Sequence, residues 1–322
     1  MFIILDPSAM YVFFFLAGYF APPSLVKRGR YTFIKQKFLR ILVPCILGTF
    51  LVALPTMYDM MRNVIKSLTI FDFTVNYFFG SEYSQLHYWF LSTLFILFLV
   101  YALVGKTAKD SDSKSESDAK SGLAGDKFAI TAVIIFTALV CFVSINFFMG
   151  FEDWVNVFYI TLLKPSRAGS YIASFILGIY AYNHKWFMQD YKRNAGLYFI
   201  ASVISLAMTI LIYLFGKTRL NLVIYNLVFS CLDSMFSIFV TMCMLDFFSG
   251  LKDEPPAIIK SVANFSYGIY WWHFVVMLFT IRFLYGDNFG AVSLAVITII
   301  LVFIISYVIH FVTVKIFKKL GF

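Results

Sequence analysis

With 322 residues, 61% of them hydrophobic and only 13% charged, the chain carries more apolar surface than a soluble fold of its size can bury. Its formal net charge of +9 sits in short loops between apolar runs, where basic residues set membrane topology, so a nucleic-acid partner is excluded. The composition defines an integral membrane protein.

A helix needs roughly 20 apolar residues to cross about 30 Å of hydrocarbon. Nine such runs follow one another at 8–25, 38–56, 87–105, 127–148, 167–183, 195–215, 222–248, 262–284 and 290–314. None alternates in polarity over about ten residues as a β-barrel strand would. The expected fold is therefore all-α: a polytopic transmembrane helical bundle of about nine spans, forming one domain over 1–322 without internal repeats. The first run has no basic leader and ends in Pro22-Pro23 without a small-residue cleavage site, so the spans themselves are expected to drive insertion. If the 26–40 loop is cytoplasmic and sides alternate from there, nineteen of the 26 basic residues lie inside. The C-terminus is then cytoplasmic and Met1 outside, with Arg62, Lys66, Lys164, Arg167, Lys217, Arg219 and Arg282 left on the outer face.

The loop after the first run is basic and acid-free: Lys27-Arg-Gly-Arg30, then Lys35, Lys37 and Arg40. On an α-helix, Lys37 and Arg40 share a face. A guanidinium fork beside an ammonium suits the phosphates of a nucleotide-bearing cofactor, and equally suits anionic headgroups or simple anchoring of the loop. Met57 to Leu68 reads as a short interfacial helix with Met61, Val64, Ile65 and Leu68 on one face. Together with 149–166, the 57–86 segment is expected to roof an outward-facing cavity. Residues 106–127 are polar and mixed in charge, the composition of a disordered cytoplasmic linker.

Four polar positions stand out in or beside the runs. His87 lies near an outer mouth with Glu82 and Tyr83 close in sequence, placed for proton transfer or acceptor binding, or for the aromatic belt beside Tyr88 and Trp89. His273 sits mid-span, and His310 near the inner end of the last span. Asp233 lies mid-span, where an unpaired carboxylate costs about 2.5–3.5 kcal/mol, so it must face the interior, lining a tunnel or bonding a neighbouring helix. No basic partner for it is evident inside a span. The four cysteines show no CxxC spacing and no His cluster, so they read as buried thiols with neither a disulfide framework nor a metal site.

Four blocks, in order, carry a family resemblance. Phe13-Phe-Phe-Leu-Ala-Gly-Tyr-Phe20 with the basic loop, Lys37-x-x-Arg40 and Pro44 resembles the FF-x-(S/A)-G-(F/Y) span and R-x-x-R loop of the acyltransferase 3 family of multi-pass membrane acyltransferases. His87-Tyr-Trp-Phe-Leu91 resembles its H-L-W-F-L block, and Ser266-Tyr-Gly-Ile-Tyr-Trp-Trp-His273 its S-Y-x-(I/V)-Y-x-x-H block. Phe175-Ile-Leu-Gly-Ile-Tyr-Ala-Tyr182 followed by Trp186 is similar to the branch that includes glucan succinyltransferases.

The resemblance implies an O-acyltransferase that takes acyl-CoA as co-substrate, with no permanently bound cofactor. Its phosphates would dock at Lys37 and Arg40, with Arg30 and Lys35 alongside, and an acetyl or succinyl group would pass to a hydroxyl of a carbohydrate or glycan acceptor. Members usually have ten spans, the first carrying an Arg and the His taken as base; this chain begins where the second would begin. That helix is therefore expected to be missing, which leaves His87 as the candidate base here. Two other readings stand beside the enzyme: a multi-span transporter or lipid/glycan flippase, and an inactive truncated family member.

Overall fold

A computed structural model describes residues 2–105, 123–148, 150–187, 194–250, 256–284 and 290–319. Helices dominate, in agreement with the all-α polytopic expectation, and eight of them among the described residues are long and apolar enough to cross a membrane. Two compact units emerge, residues 1–45 with 89–252, and residues 46–88 with 253–322. The expected 106–127 linker lies outside the described residues as far as 122; from Leu123 onward the chain is helical.

In the first unit, α1 (Phe2–Arg28) leads through Gly29 into α2 (Arg30–Arg62), whose first part belongs here. Then come α3 (Trp89–Val104), α4 (Leu123–Phe147), the antiparallel hairpin β1 (Val155–Val157) and β2 (Thr161–Leu163), α5 (Pro165–Asn183), α6 (Ala195–Leu211) and α7 (Leu222–Gly250). The hairpin was not foreseen. Its turn places Phe158 and Tyr159 at φ 52° and 58°, where Asn-Gly would normally announce the bend. The hydroxyl of Thr161 joins β2 to α3 through Ser92 at 2.8 Å and Thr93 at 2.9 Å.

The one expected run absent from these eight is the fifth, α5, and its position explains why. It is the middle of the unit, flanked by α1 and α4. Arg167, Ser170 and Ser174 are buried while Ile172 and Ile176 are exposed. α6 repeats this inside-out arrangement, hiding Ser202, Ser205 and Thr209 and exposing Leu197, Ile200 and Ile204. That pattern is expected where the surrounding solvent is lipid and small polar residues face neighbouring helices. The buried hydroxyls of α6 return to carbonyls of their own helix, Ser205 to Ala201 and Thr209 to Ser205, both at 2.8 Å.

Helices α1 and α5 cross without side chains between them. A Cβ on Gly18 would fall on the carbonyl of Phe175, and a Cβ on Gly178 on the carbonyl of Phe15. Each glycine is thus the notch for the other helix's backbone, a close approach typical of small residues at membrane helix crossings. Around the crossing, Phe15, Leu177, Ala181 and Trp186 pack with Ile130, Ile238, Met242 and Leu245. Trp186 closes the cluster by donating its indole N–H to buried Asp126 at 2.9 Å.

The second unit holds the remainder of α2, the segment to Tyr88, α8 (Ala257–Leu284) and α9 (Ala291–Lys319). The separate interfacial helix expected over 57–68 is not formed. Helix α2 runs on to Arg62 and the chain then turns, leaving Val64 79% exposed, while Met61, Ile65 and Leu68 pack with Leu54, Phe73 and Phe78. In α8, Gly268 opens a notch against α9, because a Cβ there would overlap the ring of His310. His310 therefore fills a packing gap. Cys45 and Cys141 are buried; Cys231 and Cys243 are partly so, and all four are free thiols.

Candidate functional site

Two histidines that lie far apart in sequence come together in the second unit. His87 occupies a single 3-10 turn, Leu86–Tyr88, and its ring lies 4.7 Å from that of His273 on α8, centroid to centroid, at 63°. Three hydrogen bonds hold them. The buried Tyr88 hydroxyl donates to the Trp271 carbonyl at 2.7 Å, the Tyr270 hydroxyl to the His87 carbonyl at 2.6 Å, and His273 Nδ1 lies 2.6 Å from the Tyr270 carbonyl. Tyr88 reaches its place because Gly48 faces it: a Cβ at Gly48 would stand 2.6 Å from the Tyr88 ring. Leu86, just before the histidine, is held at φ 47°, a left-handed backbone that a leucine adopts only under constraint.

This geometry settles the chemistry available to His273. A carbonyl oxygen only accepts, so Nδ1 carries the hydrogen and Nε2 keeps its lone pair. His87 is enclosed by Tyr88, Tyr270, His273 and Phe274, with ring centroids 4.0–5.4 Å away. Its ring nitrogens are buried. The pair thus offers one imidazole with a fixed tautomer and a second held in ring contact with it.

The basic loop lies in the first unit, and its residues take different environments. Arg30 donates to the Gly105 carbonyl at 3.1 Å, just past the end of α3, and Arg28 bonds the Gln36 side chain. Lys37 turns inward, its ammonium 3.8 Å from the Phe98 ring centre and 5.4 Å from that of Phe33. Lys35 and Arg40 are exposed. Residues 38–42 make a π-helical turn, in which the Val43 N–H reaches back to the Phe38 carbonyl, so the step from Lys37 to Arg40 is not that of a regular α-helix. Pro44 explains it: the ring clashes with the carbonyl four residues back, that of Arg40, and the turn widens. A second π turn, Thr49–Ala53, likewise stops just before Pro55.

Asp233 has the basic partner that was not evident from the sequence. Arg167, which the topology count had placed on the outer face, is 2% exposed, and its guanidinium lies 3.8 Å from the Asp233 carboxylate. It also donates to the Tyr11 hydroxyl at 3.1 Å and stands over the Phe151 ring at 4.8 Å. A legible sign of this cluster existed: Arg167, Ser170 and Ser174 on α5, and Ser230, Asp233 and Ser237 on α7, recur at helical spacing.

A helical membrane bundle with an exposed cationic loop and an oriented imidazole fits the class of multi-pass membrane acyltransferases. The sequence matches the acyltransferase 3 family, described as an acyltransferase domain, over residues 1–311, and the chain belongs to that family. No curated protein and no solved structure matches it.

Proposed function

We propose that the protein is an O-acyltransferase of the cell membrane, with its C-terminus and basic loop on the cytoplasmic side, that moves an acetyl or succinyl group from acyl-CoA to a hydroxyl of a carbohydrate or glycan. The observation that carries this reading is the fixed tautomer of His273 in a chain of acyltransferase family. Its Nε2 takes the proton as the acceptor oxygen bonds to the thioester carbonyl carbon. When the tetrahedral intermediate collapses, the C–S bond breaks and the imidazolium returns the proton to the CoA thiolate. His87, in ring contact, donates to or accepts from the same reacting groups. Lys37, Arg40, Arg30 and Lys35 hold the CoA phosphates by charge-assisted bonds.

The test is acyl transfer from radiolabelled acetyl-CoA and succinyl-CoA in proteoliposomes supplied with glycan acceptor. His273→Gln is expected to lower kcat by about 10²–10⁴ while the KM for acyl-CoA stays near that of the unaltered protein. An unchanged kcat would remove His273 from the reaction. A second reading, transport of a lipid or glycan, draws on the Arg167–Asp233 pair, since paired charges within a membrane commonly mark transport paths. Counterflow of glycan in the absence of acyl-CoA distinguishes it.

A further inference from the structure

The second unit contains a cavity of about 760 Å³ between α2 and α8 that the acyl-transfer reading does not use. Its size falls in the roughly 300–1,000 Å³ range of ligand pockets, and its polarity is graded. Both helices run the same way along it. Val52 and Trp272 line one end, Val275 and Phe279 the wall, and Asp59 and Arg282 the other end. From Val52 to Asp59 is about 10 Å along the helix.

The charged end lies close to where both helices stop, Arg62 on α2 and Leu284 on α8, which is the level of lipid headgroups. Arg282 Nη1 and Asp59 Oδ2 are 2.8 Å apart, yet their side chains remain 65% and 47% exposed. One contact uses only part of what each offers: a guanidinium has five N–H donors, and a carboxylate has two oxygens with several lone pairs. Thr56 and Asn63 add neutral polar groups at this end of the cavity.

An apolar slot ending in a paired cation and anion is complementary to an alkyl chain ending in a paired anion and cation. We propose that this cavity binds a phospholipid with an ethanolamine headgroup, one chain lying along Val52, Val275 and Phe279, the phosphate on Arg282 and the primary ammonium on Asp59. A choline headgroup has no N–H to give the carboxylate. A glycerol headgroup brings a phosphate without a cation and leaves Asp59 facing like charge.

The experiment uses the full chain in nanodiscs doped at equal mole fraction with phosphatidylethanolamine, phosphatidylcholine or phosphatidylglycerol carrying a diazirine in the tail, with cross-linked peptides read by mass spectrometry. Ethanolamine lipid is expected to label peptides covering 51–63 and 272–282 about three- to ten-fold more than the other two. Asp59→Asn should erase that preference without reducing labelling by choline lipid, and Val275→Trp, which keeps both charges and fills the slot, should reduce labelling by all three. Equal labelling by the three lipids would mean annular contact only and overturn the proposal, as would preference for the glycerol lipid or an Asp59→Asn variant that retains the ethanolamine preference.

Discussion

Arg167→Met is expected to destabilise the protein by about 3–5 kcal/mol, the usual cost of removing one partner of a buried ion pair. The loss arises less from the 3.8 Å attraction itself than from what remains, a carboxylate 5% exposed with its cation gone. Tyr11, fully buried, also loses the guanidinium bonded to its hydroxyl. The double variant Arg167→Met with Asp233→Leu should recover much of the loss, because replacing both charges by apolar groups of similar size removes the need for compensation. Thermal unfolding of the detergent-solubilised protein reads this cycle. A double variant no more stable than Arg167→Met alone would show that the two charges are not coupled.

The second large effect belongs to the α1–α5 crossing. Gly178→Val should prevent the two helices from seating, since the obstructing atoms are the Phe15 carbonyl and the Tyr19 N–H rather than side-chain ends that can rotate away. Overpacking a side-chain contact costs about 1–3 kcal/mol; against backbone the upper end or beyond is expected. Gly18→Val should behave the same way from the other helix. Gly196 on α6 is the control, because a Cβ there meets nothing within 4 Å. Gly196→Ala should stabilise by about 0.4–1 kcal/mol through the unfolded chain. Parallel behaviour of Gly178→Val and Gly196→Ala would contradict the crossing.

These glycines show what was legible in the sequence and in what sense. Gly18, Gly178 and Gly268 all sit within the blocks that carried the family resemblance, and the structure gives each a mechanical reason: a notch against Phe175, Phe15 or His310. The spans were legible because lipid demands long apolar runs. α5 was legible as a run but not as a buried core helix, since burial in a membrane inverts the polarity that usually signals the inside.

His87, His273 and Asp233 could each be singled out by their cost or position. Helical spacing flagged the polar faces of α5 and α7, but which residue pairs with which could not be read. Tyr270 and His87 are separated by 183 residues and Arg167 and Tyr11 by 156, and no periodicity reports a contact made only by packing helices. The π turns were half legible: Pro44 and Pro55 were visible, but whether a proline kinks, breaks or widens a helix depends on how neighbouring turns accommodate the missing N–H. The Val155–Leu163 hairpin gave no warning because its turn uses Phe158 and Tyr159 in a backbone that favours glycine and asparagine.

In the proposed reaction the acyl group comes from CoA, held at the cationic loop. Equilibrium binding of acetyl-CoA to the protein in nanodiscs tests it without depending on acceptor or turnover. Lys37→Ala with Arg40→Ala, checked for an unchanged unfolding midpoint, should weaken binding at least about ten-fold, the loss of roughly 1.4 kcal/mol or more of charge-assisted contact. Binding by the unaltered protein that persists at full affinity in the double variant would contradict the claim.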